Sequence, residues 1–119
     1  MTTLTLPWPH KALSPNTRTH WGSRADAARK ARRNAWGIAL AAGVKRTPAQ
    51  AVRVTYTFHP PRAGRFDMDN ALARMKPATD GLSDALGIDD SRFQFTVLRG
   101  EPARPDGCVA VKIELEGAE

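Results

Sequence analysis

The residues best suited to chemistry in this chain are aspartates gathered at two points: Asp67 and Asp69 within DMDN (67–70), and the pair Asp89 and Asp90 further along. In an extended segment, residues two apart point the same way, so Asp67 and Asp69 can project together from a strand end or loop into one pocket. Three converging carboxylates with few cysteines or histidines nearby make a hard, all-oxygen site. Such a site suits Mg²⁺, with Mn²⁺ as the alternative, rather than Zn²⁺. The same residues have plainer uses. Aspartate favours turns and helix starts, so Asp69 could be the N-cap of a helix and Asp89-Asp90 a turn.

The charge distribution bears on that choice. The formal net charge is +6, but residues 1–65 hold twelve Lys and Arg against the single acid Asp26, whereas residues 66–119 hold six against eleven acids. A basic first half suggests a polyanion partner. Carboxylates beside it would repel a phosphodiester backbone unless a metal ion stood between them. The three histidines, His10, His20 and His59, form no spaced pair, which argues against zinc. The single cysteine, Cys108, lies in a valine-rich run and reads as a buried small hydrophobe with no internal disulfide open to it.

The elements that must position these groups follow from periodicity. TLTLPW (3–8) reads as a short strand running into the aperiodic loop PHKALSPNTRTHW. Ser23 with Asp26 resembles a helix start and Gly43 a helix end, which frames an alanine-rich helix. Its packed face is Ala28, Ala31, Ala35, Ile38 and Ala39, with Trp36 expected in the core. Arg29, Lys30, Arg32 and Arg33 form a basic cluster partly off that face. AVRVTYTF (51–58) alternates as a half-buried strand does, and HPPRAGRF is the loop that stops it. A second helix is expected over 69–86, with Leu72, Met75, Leu82 and Leu86 apolar, Gly87 as terminator and Pro77 breaking or kinking it. Strands around 92–100 and 107–116 close the chain. The expected fold is α/β (α+β): a single domain, 1–119, of order β-α-β-α-β-β, its mixed four-stranded sheet packed with two helices. No apolar stretch reaches the roughly 18 residues that span a bilayer, and no secretion signal opens the chain, so a cytoplasmic protein without a membrane partner is expected.

LPWP near the start, DMDN, KPATDGLSDALGIDD and the closing strands with their IELEGAE end resemble the RusA-type Holliday-junction resolvases, the crossover junction endodeoxyribonucleases, over nearly the whole chain. SPNTRTHW followed by an Ala/Arg-rich helix is similar to the N-terminal pattern of phage and prophage members. The resemblance implies a Mg²⁺-dependent homodimer that resolves four-way DNA junctions by paired symmetric nicks in recombination and repair. It implies that Asp67, Asp69 and Asp90 bind the metal, that Asp89 supports them, and that Asn70 orients the aspartates or caps the helix. The family's best-known members carry a catalytic lysine four residues after the second aspartate, where this chain has Ala73. Lys76, four residues before Asp80, is the choice for that role, with Arg74 in reserve.

Candidates for DNA contact are Arg18, His20, Arg29, Lys30, Arg32, Arg33, Arg62, Arg65 and Arg74. Trp8 and Trp21 could stack on bases or serve in packing. A junction has two strands to cut and one small domain has room for one site, so a two-fold dimer also follows from the task. Two other readings remain open on the residues alone: a DNA-binding module without catalysis, and a metal-dependent nuclease acting on other branched or single-stranded DNA.

Overall fold

A computed structural model describes residues 1–15 and 20–117. Strand β1 (Thr2–Pro7) leads through a short 3₁₀ turn, Lys11–Leu13, to helix α1 (Trp21–Ala41). Strand β2 (Ala51–His59) follows, then helices α2 (Met68–Arg74) and α3 (Lys76–Leu86). A second 3₁₀ turn, Asp90–Arg92, runs into β3 (Phe93–Arg99), and β4 (Cys108–Glu116) closes the sheet. The sheet order is β1-β4-β2-β3. β4 is antiparallel to both β1 and β2, while β3 runs parallel to β2. This is the α+β fold with a mixed four-stranded sheet expected from the sequence, but with three helices where two were read.

The extra helix comes from Pro77. The second helix does not kink; it stops at Met75 (φ −83°, ψ −4°) and a new one begins at Lys76. Proline in the first turn of α3 costs no hydrogen bond, because the N–H groups there have no intrahelical partner. Gly87 ends α3 in the left-handed region at φ 69°, as its position in the sequence suggested.

One face of the sheet carries the core. Val52, Val54, Tyr56 and Phe58 of β2 alternate inward and meet Val109, Val111 and Ile113 of β4, under Ala35 and Ala39 of α1 and Leu82 of α3. α1 and α3 approach closely at Gly81, where an added Cβ would lie 2.3 Å from the Arg32 carbonyl oxygen and 3.0 Å from Ala35 Cβ. The buried Tyr56 hydroxyl shares a hydrogen bond of 2.7 Å with the hydroxyl of buried Thr79, so both are satisfied. Threonines 3, 5, 55, 57 and 96 fall on the opposite side of the sheet by the alternation of its strands.

Two expectations for α1 need correction. The helix starts ahead of Ser23: His20 is the N-cap, its Nδ1 accepting from Gly22 N at 3.1 Å. Trp36 is not core but 44% exposed. Only a narrow alanine stripe of α1 faces the sheet, and Trp36 lies outside it. Trp21 is also on the surface, 77% exposed and stacked with the His20 ring. Trp8 alone of the three packs inward, edge-on to Phe58 and Phe66. Among the described residues no helix is long and apolar enough to cross a membrane.

Candidate active site

The loop 60–66 leaves the end of β2 and delivers the chain to α2. Asp67 is the N-cap of that helix: its backbone is extended, and its Oδ1 accepts from the amides of Asp69 (3.0 Å) and Asn70 (3.3 Å). The cap is therefore Asp67, not Asp69. Asp69 is in the first turn, where its negative charge also favours the helix dipole. The two carboxylates are separated by a helix start rather than by one strand pleat, so the alternation of an extended segment does not govern where they point. Both are exposed. Asn70 neither orients them nor caps through its side chain; Nδ2 donates to Ser14 Oγ at 2.7 Å and ties α2 to the segment after β1.

The second acidic point closes on α3. Lys76 Nζ donates to Asp80 Oδ1 at 2.9 Å, one helical turn on, and also to Asp90 Oδ2, fourteen residues away in sequence. The hydrogen bond with Asp80, then that with Asp90, pushes the Lys76 ammonium up to about 12. Asp89 is the N-cap of the 3₁₀ turn, accepting from Ser91 N at 3.1 Å, and its hydrogen bonds with Ser91 hold its carboxyl below the ordinary range. Asp80 was visible in the sequence as the acid four residues after Lys76, yet its part as the lysine's first partner emerges only with the folded pair.

Among the described residues no three His, Cys, Asp or Glu side chains form a group able to hold an ion. The acids stand as two sets, Asp67 with Asp69 at the start of α2 and Asp80 with Asp90 around Lys76.

The expected DNA contacts separate into those with other duties and those without. Arg32 makes a two-pronged ion pair with Asp84 of α3, Nε to Oδ2 at 2.7 Å and Nη2 to Oδ1 at 2.9 Å, which raises the guanidinium and lowers the carboxyl. Arg29 is engaged by Asp26. Arg74 donates to the carbonyls of His10 and Pro9, so it anchors the segment after β1, and burial lowers its affinity for the proton. That commitment removes Arg74 as the substitute for the lysine. Arg62 and Arg65, in the loop that leads to Asp67, are exposed and make no ion pair or hydrogen bond among the described residues. Lys30 and Arg33 line a cleft between α1 and the end of β1. Arg18 lies outside the described residues.

No family model matches the chain. It is 44% identical over 116 residues to an uncharacterized protein of Xylella fastidiosa (strain Temecula1 / ATCC 700964), a match that covers 95% of this chain and 76% of the relative. The chain belongs to that protein's family. The Xylella relative carries no activity in its name, so membership fixes kinship and leaves the chemistry to the residues of the site.

Proposed function

We propose that this protein is a RusA-type, Mg²⁺-dependent endodeoxyribonuclease that resolves four-way junctions by paired symmetric nicks, acting as a homodimer. The observation that carries the reading is the Lys76–Asp90 pair, which brings a sequence-distant carboxylate onto a lysine one short helix away from the exposed Asp67 and Asp69.

The donor chemistry fits the ion. Mg²⁺ is commonly held through one or two carboxylates, with waters and a substrate phosphate completing its shell, so a pair such as Asp67 and Asp69 is a sufficient protein contribution. Asp90 would be the third ligand in this proposal, joining Asp67 and Asp69 by exchanging its contact with Lys76 for the ion. When bound, the ion would lower the pKa of an attacking water and neutralise charge at the scissile phosphate. Arg62 and Arg65 draw the DNA backbone towards the start of α2. Lys76 supplies positive charge for the phosphate oxygens as charge grows on them in the transition state, and Asp80 keeps it protonated and oriented.

A second reading has its own support: each acid has a structural task, Asp67 and Asp89 as caps and Asp90 as the partner of Lys76. That reading makes the protein a DNA-binding module without catalysis. The two part on one assay, in which the protein meets a labelled mobile junction, a flap and a linear duplex with Mg²⁺ or EDTA, alongside Asp69→Asn. Symmetric nicks on the junction alone, lost with EDTA and in a variant that still binds, are expected. Binding without cleavage under Mg²⁺ and Mn²⁺ would leave the module, and preferential flap cutting would move the substrate to other branched DNA.

A further inference from the structure

A cleft of about 760 Å³ opens between α1, the end of β1 and the break at Met75. Trp8, Leu13, Ala31, Ile38 and Ala78 are among its apolar walls. Among the described residues its polar lining is cationic or neutral, with His10, Lys30, Arg33, Asn34 and Arg74 present and no carboxylate.

Gly37 adds a second observation. It sits inside α1, where glycine weakens a helix, and it lines the cleft. A Cβ built there meets nothing within 4 Å, so no packing contact among the described residues requires the glycine. The space it leaves belongs to the cleft.

The occupant is indicated by three features together. The apolar wall includes an indole fixed in place, since Trp8 packs edge-on to Phe58 and Phe66. An acid-free cationic rim calls for an anion beside that wall. The cleft also reaches the junction of the two helices that carry the candidate site: Arg74 and Met75, which line it, stand immediately before Lys76. A planar base one sugar away from its phosphate has this combination of faces. Base stacking on aromatic side chains is tolerant of sequence, and a branch point offers bases already loosened from their stack.

We infer that the cleft receives one unpaired nucleotide from the crossover of branched DNA, its base against the Trp8 wall and its phosphate at Lys30 and Arg33. The inference rests on the nuclease reading for its choice of DNA. Seating that nucleotide would fix the strand relative to Asp67 and Asp69.

The experiment uses the full chain in EDTA with a four-way junction carrying 2-aminopurine at the crossover. Wild type and Gly37→Ala are expected to change its emission on binding, as the base passes from the junction to the Trp8 indole. Gly37→Phe, which fills the cleft at a position with open space, should still fold by circular dichroism, lose the emission change, and bind about tenfold more weakly, the loss of one stacked base. Silent aminopurine with wild type bound, or an unchanged response in Gly37→Phe, overturns the inference. Gly37-dependent binding of a fluorescent fatty acid without any response to the junction also overturns it and assigns the cleft to a lipid anion. Nicking in Mg²⁺ is scored separately. Nicking with silent aminopurine rejects the pocket alone, and a Gly37-dependent response with no nicking in any metal rejects the nuclease and keeps the pocket.

Discussion

Lys76 holds two carboxylates with one ammonium, and this decides what its replacement should do. Lys76→Ala removes the cation and leaves Asp80 and Asp90 facing each other; nicking is expected to fall by about a hundredfold or more, with junction affinity largely kept. Lys76→Arg, which keeps the charge, should recover part of the rate in the same single-turnover assay. Tyr56 provides a test of the core that is independent of DNA. Burial pushes its hydroxyl up to about 12, with the Thr79 hydrogen bond opposing. An unfolded tyrosine loses its proton near 10. The contribution is therefore complete below about pH 10 and is lost as pH rises towards 12, amounting to about 2 to 3 kcal/mol at the end of that window. Lys76 has the same sign over that range, but it is exposed and screened. Denaturant melts from pH 9 to 12 should show the decline in wild type and a shallower one in Tyr56→Phe, which starts about 1 kcal/mol lower for its lost hydrogen bond. At this scale the sequence located the acids but not their duties. Asp67 took the cap because α2 begins at Met68, two residues ahead of a helix capped by Asp69, and that shift puts Asp69 in the first turn.

The contact between α1 and α3 is the strictest requirement among the elements. Alanine ordinarily improves a helix interior over glycine by about 1 kcal/mol. Gly81→Ala should do the reverse and destabilise the protein by about 2 kcal/mol or more, because its methyl would meet the backbone of α1. Chemical denaturation with an unchanged m-value would show this; a rise in midpoint would contradict the close approach. The basic residues of α1 and of the loop 60–66 divide by what already engages them. Arg62→Ala and Arg65→Ala are each expected to reduce the salt dependence of junction binding by about one phosphate contact, while Arg32→Ala leaves that slope alone, since its guanidinium serves Asp84. Periodicity identified strands and helices well because β2 and α3 bury one face each. It misplaced Trp36 because a period shows which residues share a face and not how far the neighbouring layer extends over it. It could not divide Pro77's helix, as a proline near a break and a proline at a helix start look alike in sequence.

On the scale of the whole molecule, the uneven charge read from the sequence becomes a spatial arrangement, with the basic loop 60–66 leading directly to the acids at the start of α2. The homodimer is expected in sedimentation at micromolar protein, and a monomer that still made paired nicks would remove its rationale. β4 is the last strand in chain order, yet it lies between β1 and β2 and is the strand with which β1 pairs. During synthesis the first strand therefore waits, with its amide edge open, until nearly the whole described chain has left the ribosome. Closing so long a loop is entropically slow, and the waiting edge is the one on which stalled or truncated chains would pair with one another.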